Sequence, residues 1–413
     1  MSQAANPPPR AAAPVVRRAT RSRLLVGAGI VATAFALRLL FASLSVTMPE
    51  IAVRTGLSPF GASLLTTLPV LCLGLLAPLG PRLARRFGVE RTLAGAMGLL
   101  ALCTALRGLG PIWLLFACSV AAGGAIACGN VLLPGLVKRD FSDRPGLLTG
   151  LYVMALSAGA ALAAAATVPI ERVAGRGWGF GLAIWALPVL PAVLIWLARA
   201  RPAKAVGGRP AGMGAPWGSL LAWQLTMFMG LQSALAFSVF GWLAVILRER
   251  GLDAVNAGLV VSALIIVQLG TCLTIPSIAA RQRDQRLLAI SLTLAGVGGL
   301  LGLLHAPLGG VWLWALLQGA GQGGLIALAL TMVVLRAEDA EVAAQLSSMA
   351  QSIGYVPAAL APLAIGLLRT ATGSFAATGL VFALIGLGLL WSGIGAGRAL
   401  LVQRAALSRR QSP

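Results

Sequence analysis

Residues 24–48, LLVGAGIVATAFALRLLFASLSVTM, form an apolar run long enough to cross the hydrocarbon layer of a membrane as one helix. The one ionised side chain of this run, Arg38, lies near its middle. A guanidinium stays charged at physiological pH, and a charge at the centre of a membrane helix costs about 2.5–3.5 kcal/mol on insertion scales. Arg38 is therefore expected to face a solute in a wet cavity, or alternatively to snorkel or to cap carbonyl groups of a neighbouring helix.

The composition of the whole chain is that of a membrane protein. Hydrophobic residues make up 58% of the 413 positions and charged residues only 10%, against about 25% charged residues in ordinary soluble domains. The net charge of +21 is spread through the loops, so a nucleic-acid partner is not expected. All five cysteines lie inside apolar runs and none forms a CxxC pair, which argues against a disulfide or a zinc site. We expect neither a metal nor a cofactor.

Apolar runs of spanning length recur along the chain and predict an all-α membrane protein with twelve transmembrane helices. A flexible basic tail (1–23) precedes a first six-helix bundle (24–198), and a Gly/Pro-rich linker (199–218) leads to a second bundle (219–400) and a tail (401–413). The predicted spans are 24–48, 58–80, 92–107, 111–134, 147–169, 179–198, 219–247, 254–277, 287–304, 308–334, 343–368 and 374–397.

The distribution of basic residues predicts the orientation. The two tails and the even-numbered connections hold 24 of the 32 Lys and Arg residues, whereas the odd-numbered connections hold 7. Loops rich in basic residues stay on the cytoplasmic side of a membrane. Both termini are therefore expected in the cytoplasm, and the chain is expected in the inner (plasma) membrane.

An internal repeat relates the two halves of the chain. At a shift of 195 residues, GPRLARR around Pro81 superposes on IPSIAAR around Pro276, and Gly56-Leu57 superposes on Gly251-Leu252. Each copy holds six spans, an even number, so the copies share one orientation and are related by an axis along the membrane normal. A solute is then expected between them near mid-bilayer, where Arg38 faces Gln232 or Ser233 in this register.

Uncharged polar residues inside the spans are further candidates for binding a solute, because each needs a partner within the bundle or a water-filled cavity. Amides often bond one helix to another, so interhelical hydrogen bonding is the alternative for each. All eleven Asp and Glu residues lie at or beyond span ends, so any coupling to protons would need an acid at the rim such as Glu50 or Glu171. The predicted solute-binding residues are Arg38, Asn130, Tyr152, Gln232, Gln322, Gln351 and Tyr355.

The loop PRLARRFGVER after the second span resembles the signature loop of the major facilitator superfamily, Gly-x-Leu-Ala-Asp-Arg-x-Gly-Arg-Arg. It departs from that signature at Pro81 in place of the first glycine, at Arg85 in place of the aspartate, and at Val89-Glu90 in place of the basic pair. Loss of the aspartate affects the charge latch that this signature usually forms between helices at the cytoplasmic side. The resemblance implies the superfamily fold of two parallel six-helix repeats and a gating loop formed by Arg82, Arg85, Arg86, Gly88 and Arg281.

Longer strings are similar to the cyanate and nitroimidazole transporter family within that superfamily. Here the first helix reads Ala36-Leu37-Arg38 where the family commonly has Asn-Leu-Arg, and Trp242-Leu243-Ala244 lacks a usual proline. The resemblance implies transport of a small polar solute by alternating access, either of a small anion such as cyanate or, as an alternative, efflux of a nitroimidazole-like compound. The strings are LLTTLPVLCLGLLAPLGPRLARRFG (64–88), GNVLLPGLVKRDF (129–141), AWQLTMFMGLQSALAFS (222–238), GAGQGGLIALALT (319–331) and SSMAQSIGYVPAALAPL (347–363).

Two other classes of function fit the sequence less well. A transporter-like solute sensor usually needs a soluble output region, and the predicted tails and linker are short. A membrane-embedded enzyme would need acid-base groups, and the chain has no HExxH motif and no mid-span acid. We therefore expect a transporter and not an enzyme, with a small-molecule solute and the lipid bilayer as its partners and a monomer as its working form.

Overall fold

The structure, a computed structural model, describes residues 13–57, 59–200 and 216–403. These residues fold into α-helices joined by short turns, with one isolated parallel bridge between Ala337 and Val402. The helices are α1 Ala13–Thr55, α2 Pro59–Leu75, α3 Leu79–Phe87, α4 Val89–Leu106, α5 Ile112–Asp140, α6 Pro145–Ala174, α7 Trp178–Ala183, α8 Leu190–Arg199, α9 Leu220–Glu249, α10 Ala254–Arg281, α11 Arg286–His305, α12 Val311–Arg336, α13 Ala340–Thr372 and α14 Thr378–Ala396.

Eleven helical segments of the described ranges are long and apolar enough to cross a membrane, and each coincides with a predicted span. The remaining predicted span, 58–80, is divided: α2 holds 17 residues and ends at Leu75, and α3 begins at Leu79. Pro78 and Pro81 lie at this division, where a proline ring and its missing N–H interrupt a helix. α2 therefore takes the place of the second of the twelve spans, but it is shorter than predicted.

The first helix begins earlier than the sequence predicted. The flexible tail was expected to reach residue 23, whereas α1 is helical from Ala13. The segment from Val15 to Leu25 contains no glycine or proline, so nothing in it ends a helix once the apolar run that follows is helical. Residues 1–12 of the predicted tail, 201–215 of the linker and 404–413 of the C-terminal tail lie outside the described residues.

We call α1–α8 the first bundle and α9–α14 the second. The closest packing within them joins α1 to α6, α9 to α13 and α10 to α12. The first bundle touches the second through α2, α3, α5 and α6, which lie against α10, α12 and α13. Large apolar side chains on the outer surface, such as Leu294 and Leu384, are exposed in the way that contact with lipid requires.

The bundles meet at the end that carries the basic loops, which we call the basic end and define by α3, the α5–α6 turn and the α10–α11 turn. A Cβ added to Gly146 of α6 would lie 2.4 Å from the carbonyl oxygen of Pro276 in α10. One added to Gly150 would lie 2.6 Å from the carbonyl oxygen of Leu273. The two backbones are therefore in direct contact, and only glycine fits between them.

Candidate functional site

Arg38 is half-buried on α1, and its guanidinium carbon lies 6.0 Å from the centre of the Phe41 ring. It also lies close enough to the hydroxyl of Tyr355 on α13 for electrostatic interaction with it. No carboxylate in the described parts of the chain forms an ion pair with it. This cation inside a membrane helix thus has an aromatic ring and a hydroxyl beside it, and its charge is not neutralised by an acid.

Tyr355 lies where the two bundles come together. Its ring centre is 6.5 Å from that of Phe237 on α9, with 58° between the ring planes. A Cβ added to Gly74 of α2 would lie 3.7 Å from the Cβ of Tyr355 and 3.4 Å from the carbonyl oxygen of Ser352. Arg38 and Tyr355 therefore form a polar contact that runs from one bundle to the other.

Buried amides on α9, α12 and α13 have acceptor atoms that remain unpaired. The Gln351 Nε2 donates to Ser347 Oγ at 2.9 Å, one turn before Tyr355. The Gln322 Nε2 donates to the carbonyl oxygen of Gln232 at 3.2 Å, which brings two predicted site residues together. The Oε1 atoms of Gln232, Gln322 and Gln351 are buried and have no hydrogen-bond partner among the described residues. Such acceptors are satisfied by water or by the donor groups of a solute.

No hydrogen bond among the described residues joins Arg38 to the predicted site residues Asn130, Tyr152, Gln232, Gln322 or Gln351. Asn130 is half-buried on α5, next to Gly129, where a Cβ would lie 2.8 Å from a methyl carbon of Leu37. Tyr152 on α6 is buried and its hydroxyl has no partner among the described residues. Both therefore remain predicted members of the site. Trp242 donates its indole N–H to the carbonyl oxygen of Pro362 at 3.0 Å, so that donor is used in packing α9 against α13.

A second buried cation, Arg107, was not singled out by the sequence analysis, whose predicted span 92–107 ends at this residue. Its side chain is 1% exposed, and it donates to the carbonyl oxygen of Leu40 at 3.5 Å and to Ser43 Oγ at 3.4 Å. It thereby holds the stretch of α1 that follows Arg38. The residues four and seven positions earlier, Cys103 and Leu100, are apolar and buried, and this helical period was the available signal.

The predicted gating loop lies at the basic end. Arg82, Arg85 and Arg86 are exposed on α3, and Gly88, with φ +87°, makes the turn into α4 that glycine favours. Arg85, which replaces the signature aspartate, faces Glu341 of α13 at 4.0 Å. An ion pair therefore joins the bundles here with the arginine on α3. Arg281 is exposed at the end of α10.

Equivalent polar contacts fix this end of each bundle. In the first bundle, Arg139 bonds Glu90 at 2.7 Å. In the second, Arg336 bonds Gln285, which stands 195 positions after Glu90 and carries an amide in place of the carboxylate. Beside it, the Arg286 side chain and backbone N–H bond Asp284 and hold the pKa of that carboxyl below its usual value. The acceptors Glu90 and Gln285 correspond at the repeat shift of 195, whereas Arg139 corresponds to Val334, two positions before Arg336.

The sequence profile described as Major Facilitator Superfamily matches residues 30–362. The chain belongs to the major facilitator superfamily. It is 37% identical to the 2-nitroimidazole transporter of Escherichia coli (strain K12) over 92% of this chain and 96% of that protein. It is 30% identical to the cyanate transport protein CynX of the same organism over 82% of this chain and 88% of that protein.

The fold of this superfamily member agrees with solved structures. A crystal structure of the superfamily transporter FucP in the outward conformation superposes with a TM-score of 0.70 at 12% identity, covering 90% of this chain and 99% of that one. The resemblance drawn from the sequence is thereby confirmed, as is the all-helical superfamily fold. The chain is a multi-pass membrane transporter of small solutes.

Proposed function

We propose that this transporter carries a small anion such as cyanate, and that Arg38 binds the negative charge. The observation that carries the proposal is a guanidinium at the middle of a helix that can span a membrane, which no described carboxylate neutralises and which interacts with Tyr355 of the other bundle. An anion would neutralise the positive charge of such a site, and charge-assisted hydrogen bonds to a guanidinium are among the strongest hydrogen bonds in proteins. The similarity to the cyanate transport protein supports this choice.

Export of a nitroimidazole-like compound is the second candidate. The Phe41 ring lies beside the guanidinium, the ring of Tyr355 packs against that of Phe237, and flat aromatic solutes stack on such rings. The unpaired oxygens of Gln232, Gln322 and Gln351 could accept from a ring N–H, which cyanate does not have. The 37% identity to the 2-nitroimidazole transporter supports this candidate.

In the same proposal, the protein works as a monomer in the bacterial inner membrane, with the basic end in the cytoplasm. The excess of Lys and Arg in the tails and even-numbered connections supports that orientation. The bundles over 24–198 and 219–400 rock about the site, so that solute binds and leaves without any covalent step. Asn130, Tyr152, Gln232, Gln322, Gln351 and Tyr355 line the path with Arg38.

Counterflow in proteoliposomes tests the role of Arg38. Arg38→Ala and Arg38→Lys should each lower counterflow of labelled cyanate by about 10–100-fold, because a hydrogen bond to a charged group contributes about 1.5–3 kcal/mol and lysine lacks the planar fork. Labelled 2-nitroimidazole is run in parallel and decides between the two candidates.

The matched control is Arg91→Lys, at an exposed arginine of α4, which should keep the wild-type rate. Thermal unfolding in detergent checks that each variant is folded. Undiminished counterflow in both Arg38 variants would remove this residue from the mechanism.

A further inference from the structure

The guanidinium of Arg38 borders a space between the bundles. It interacts with Tyr355 of the other bundle, yet Arg38 stays half-buried at the middle of its spanning segment. Phe41, beside the guanidinium, and Phe237, whose ring packs against that of Tyr355, are half-buried as well. We call the space bordered by Arg38, Phe41, Phe237 and Tyr355 the central gap.

Three amides lie close to the central gap. Gln351 stands one turn before Tyr355 on the same face of α13. Gln232 follows Gly230 by two positions, and a Cβ added to that glycine would lie 2.9 Å from the α13 backbone next to Tyr355. Gln322 of α12 is joined to Gln232 by a hydrogen bond. Close packing of α9 on α13 thus brings these amides to the same part of the molecule.

The amides present free oxygen atoms. The Gln322 Nε2 donates to a carbonyl oxygen, which can only accept, so the orientation of this amide is fixed. The Gln351 Nε2 is used by Ser347 Oγ. The Oε1 atoms of Gln232, Gln322 and Gln351 have no hydrogen-bond partner among the described residues. A solute that fits here therefore brings donor groups as well as a negative charge.

Each of the two solutes considered so far matches half of this chemistry. Cyanate brings a negative charge for Arg38 but no hydrogen-bond donor for the amide oxygens. A neutral nitroimidazole brings a ring N–H but no charge. A buried acceptor left unpaired, or a cation left without a counter-charge, weakens binding. The solute that satisfies both requirements is an anion with a donor of its own.

We propose that the solute of this transporter is the anion of a small aromatic acid whose ring carries an N–H or O–H group. Its carboxylate binds Arg38, its ring lies beside Phe41 and Tyr355, and its donor bonds the free oxygen of Gln351 or Gln322. The rise of about 6 Å from Gln351 to Tyr355 is comparable with the length of such an anion. This inference rests on the proposed function, because Arg38 must bind the charge, and it names the class of anion.

Two anions of the same shape test the inference in calorimetric titrations of the purified protein. Pyrrole-3-carboxylate carries a ring N–H, and furan-3-carboxylate has an oxygen in its place. Wild type should bind the pyrrole about tenfold more tightly, because the furan leaves the amide oxygen unpaired. Pyrrole-3-carboxylate loaded into proteoliposomes should also drive uptake of labelled cyanate by counterflow.

Gln351→Met and Gln322→Met locate the acceptor. Methionine has a similar length but no amide, so the preference for the pyrrole should fall to within about twofold in the variant that has lost its partner. Gln345→Met is the matched control. Gln345 is another amide of α13 with unpaired atoms, but it lies ten positions before Tyr355, about 15 Å along the helix. It should keep the tenfold preference, and thermal unfolding checks that each variant is folded.

Equal binding of the two anions by wild type overturns the inference, as does an intact preference in both Gln351→Met and Gln322→Met. The inference also falls if the pyrrole neither binds nor exchanges for cyanate in a protein whose cyanate counterflow depends on Arg38. That result leaves the proposed function standing. Cyanate counterflow that does not depend on Arg38 is a different result and refutes the proposed function itself.

Discussion

Tyr355 brings a hydroxyl from the second bundle to the charge of Arg38 in the first. When an anion binds the guanidinium, this hydroxyl can turn and donate to the anion, so that both bundles hold the same solute. Tyr355→Phe keeps the ring contact with Phe237 and removes only that bond. We expect the dissociation constant of cyanate to rise about tenfold or more, since hydrogen bonds to charged groups contribute about 1.5–3 kcal/mol.

Calorimetric titration of purified protein with cyanate measures this change. Tyr152→Phe is the comparison, because Tyr152 is the other tyrosine of the chain and the structure does not join it to Arg38. A smaller loss is expected there. Equal affinities of Tyr355→Phe and wild type would show that this hydroxyl does not touch the solute.

Single residues were predictable from the sequence when their chemistry conflicted with their surroundings. Arg38 stood out because a charge within an apolar run is costly, and this needs no knowledge of neighbouring helices. The role of Arg107 depends on Leu40 and Ser43, more than sixty positions away in the chain. Local pattern gives no information on such a contact, so the sequence did not single out Arg107.

At the scale of helices, the contact between α6 and α10 has room only for glycine. Gly150→Leu would place a side chain where the carbonyl oxygen of Leu273 lies 2.6 Å from an ideal Cβ. The variant should therefore separate the bundles at the basic end and shift the protein away from this conformation. We expect a loss of counterflow of about tenfold or more, because a transporter held in one state does not cycle.

Spin-label distances between exposed sites on α3 and on α10 report the separation directly. Gly98→Leu is the matched control, since nothing lies within 4 Å of a Cβ at that position of α4. It should keep wild-type distances and wild-type counterflow. An unchanged distance distribution in Gly150→Leu would show that the α6–α10 contact does not set the conformation.

Helices were predictable where apolar length alone decides them, but their ends were less so: the first span was predicted to end at residue 48, whereas α1 ends at Thr55. Gly56 and Gly251, with φ of +67° and +105°, follow α1 and α9 at the same place in each repeat. The division between α2 and α3 was not predicted, although Pro78 was visible, because the apolar run continues through it. The early start of α1 was also missed, since low hydropathy identifies a segment outside the membrane and does not exclude a helix there.

At the scale of the whole molecule, the repeat places opposite charges at equivalent positions. Arg54 near the end of α1 corresponds to Glu249 at the end of α9, 195 residues later. In this conformation Glu249 bonds Arg369 of its own bundle at 2.9 Å, and Arg54 faces Glu50 and Glu171 of its own. The bundles are meanwhile linked at the other end by Arg85 and Glu341.

Residues related by an axis along the membrane normal approach each other when the bundles close at that end. Alternating access therefore predicts that Arg54 and Glu249 meet when the basic end opens. Arg54→Cys combined with Glu249→Cys, treated with a short bifunctional thiol reagent, should cross-link several-fold faster in the Gly150→Leu background than in wild type. The five native cysteines are buried, so they contribute little background.

Arg176→Cys with Glu249→Cys is the control pair, because Arg176, on the turn before α7, is not the repeat counterpart of Glu249. Its cross-linking should change little between the two backgrounds. If the 54–249 pair cross-links at the same rate in wild type and in Gly150→Leu, opening the basic end does not move the opposite end. The two bundles would then not rock as rigid bodies, and transport would need a local gate within one bundle instead.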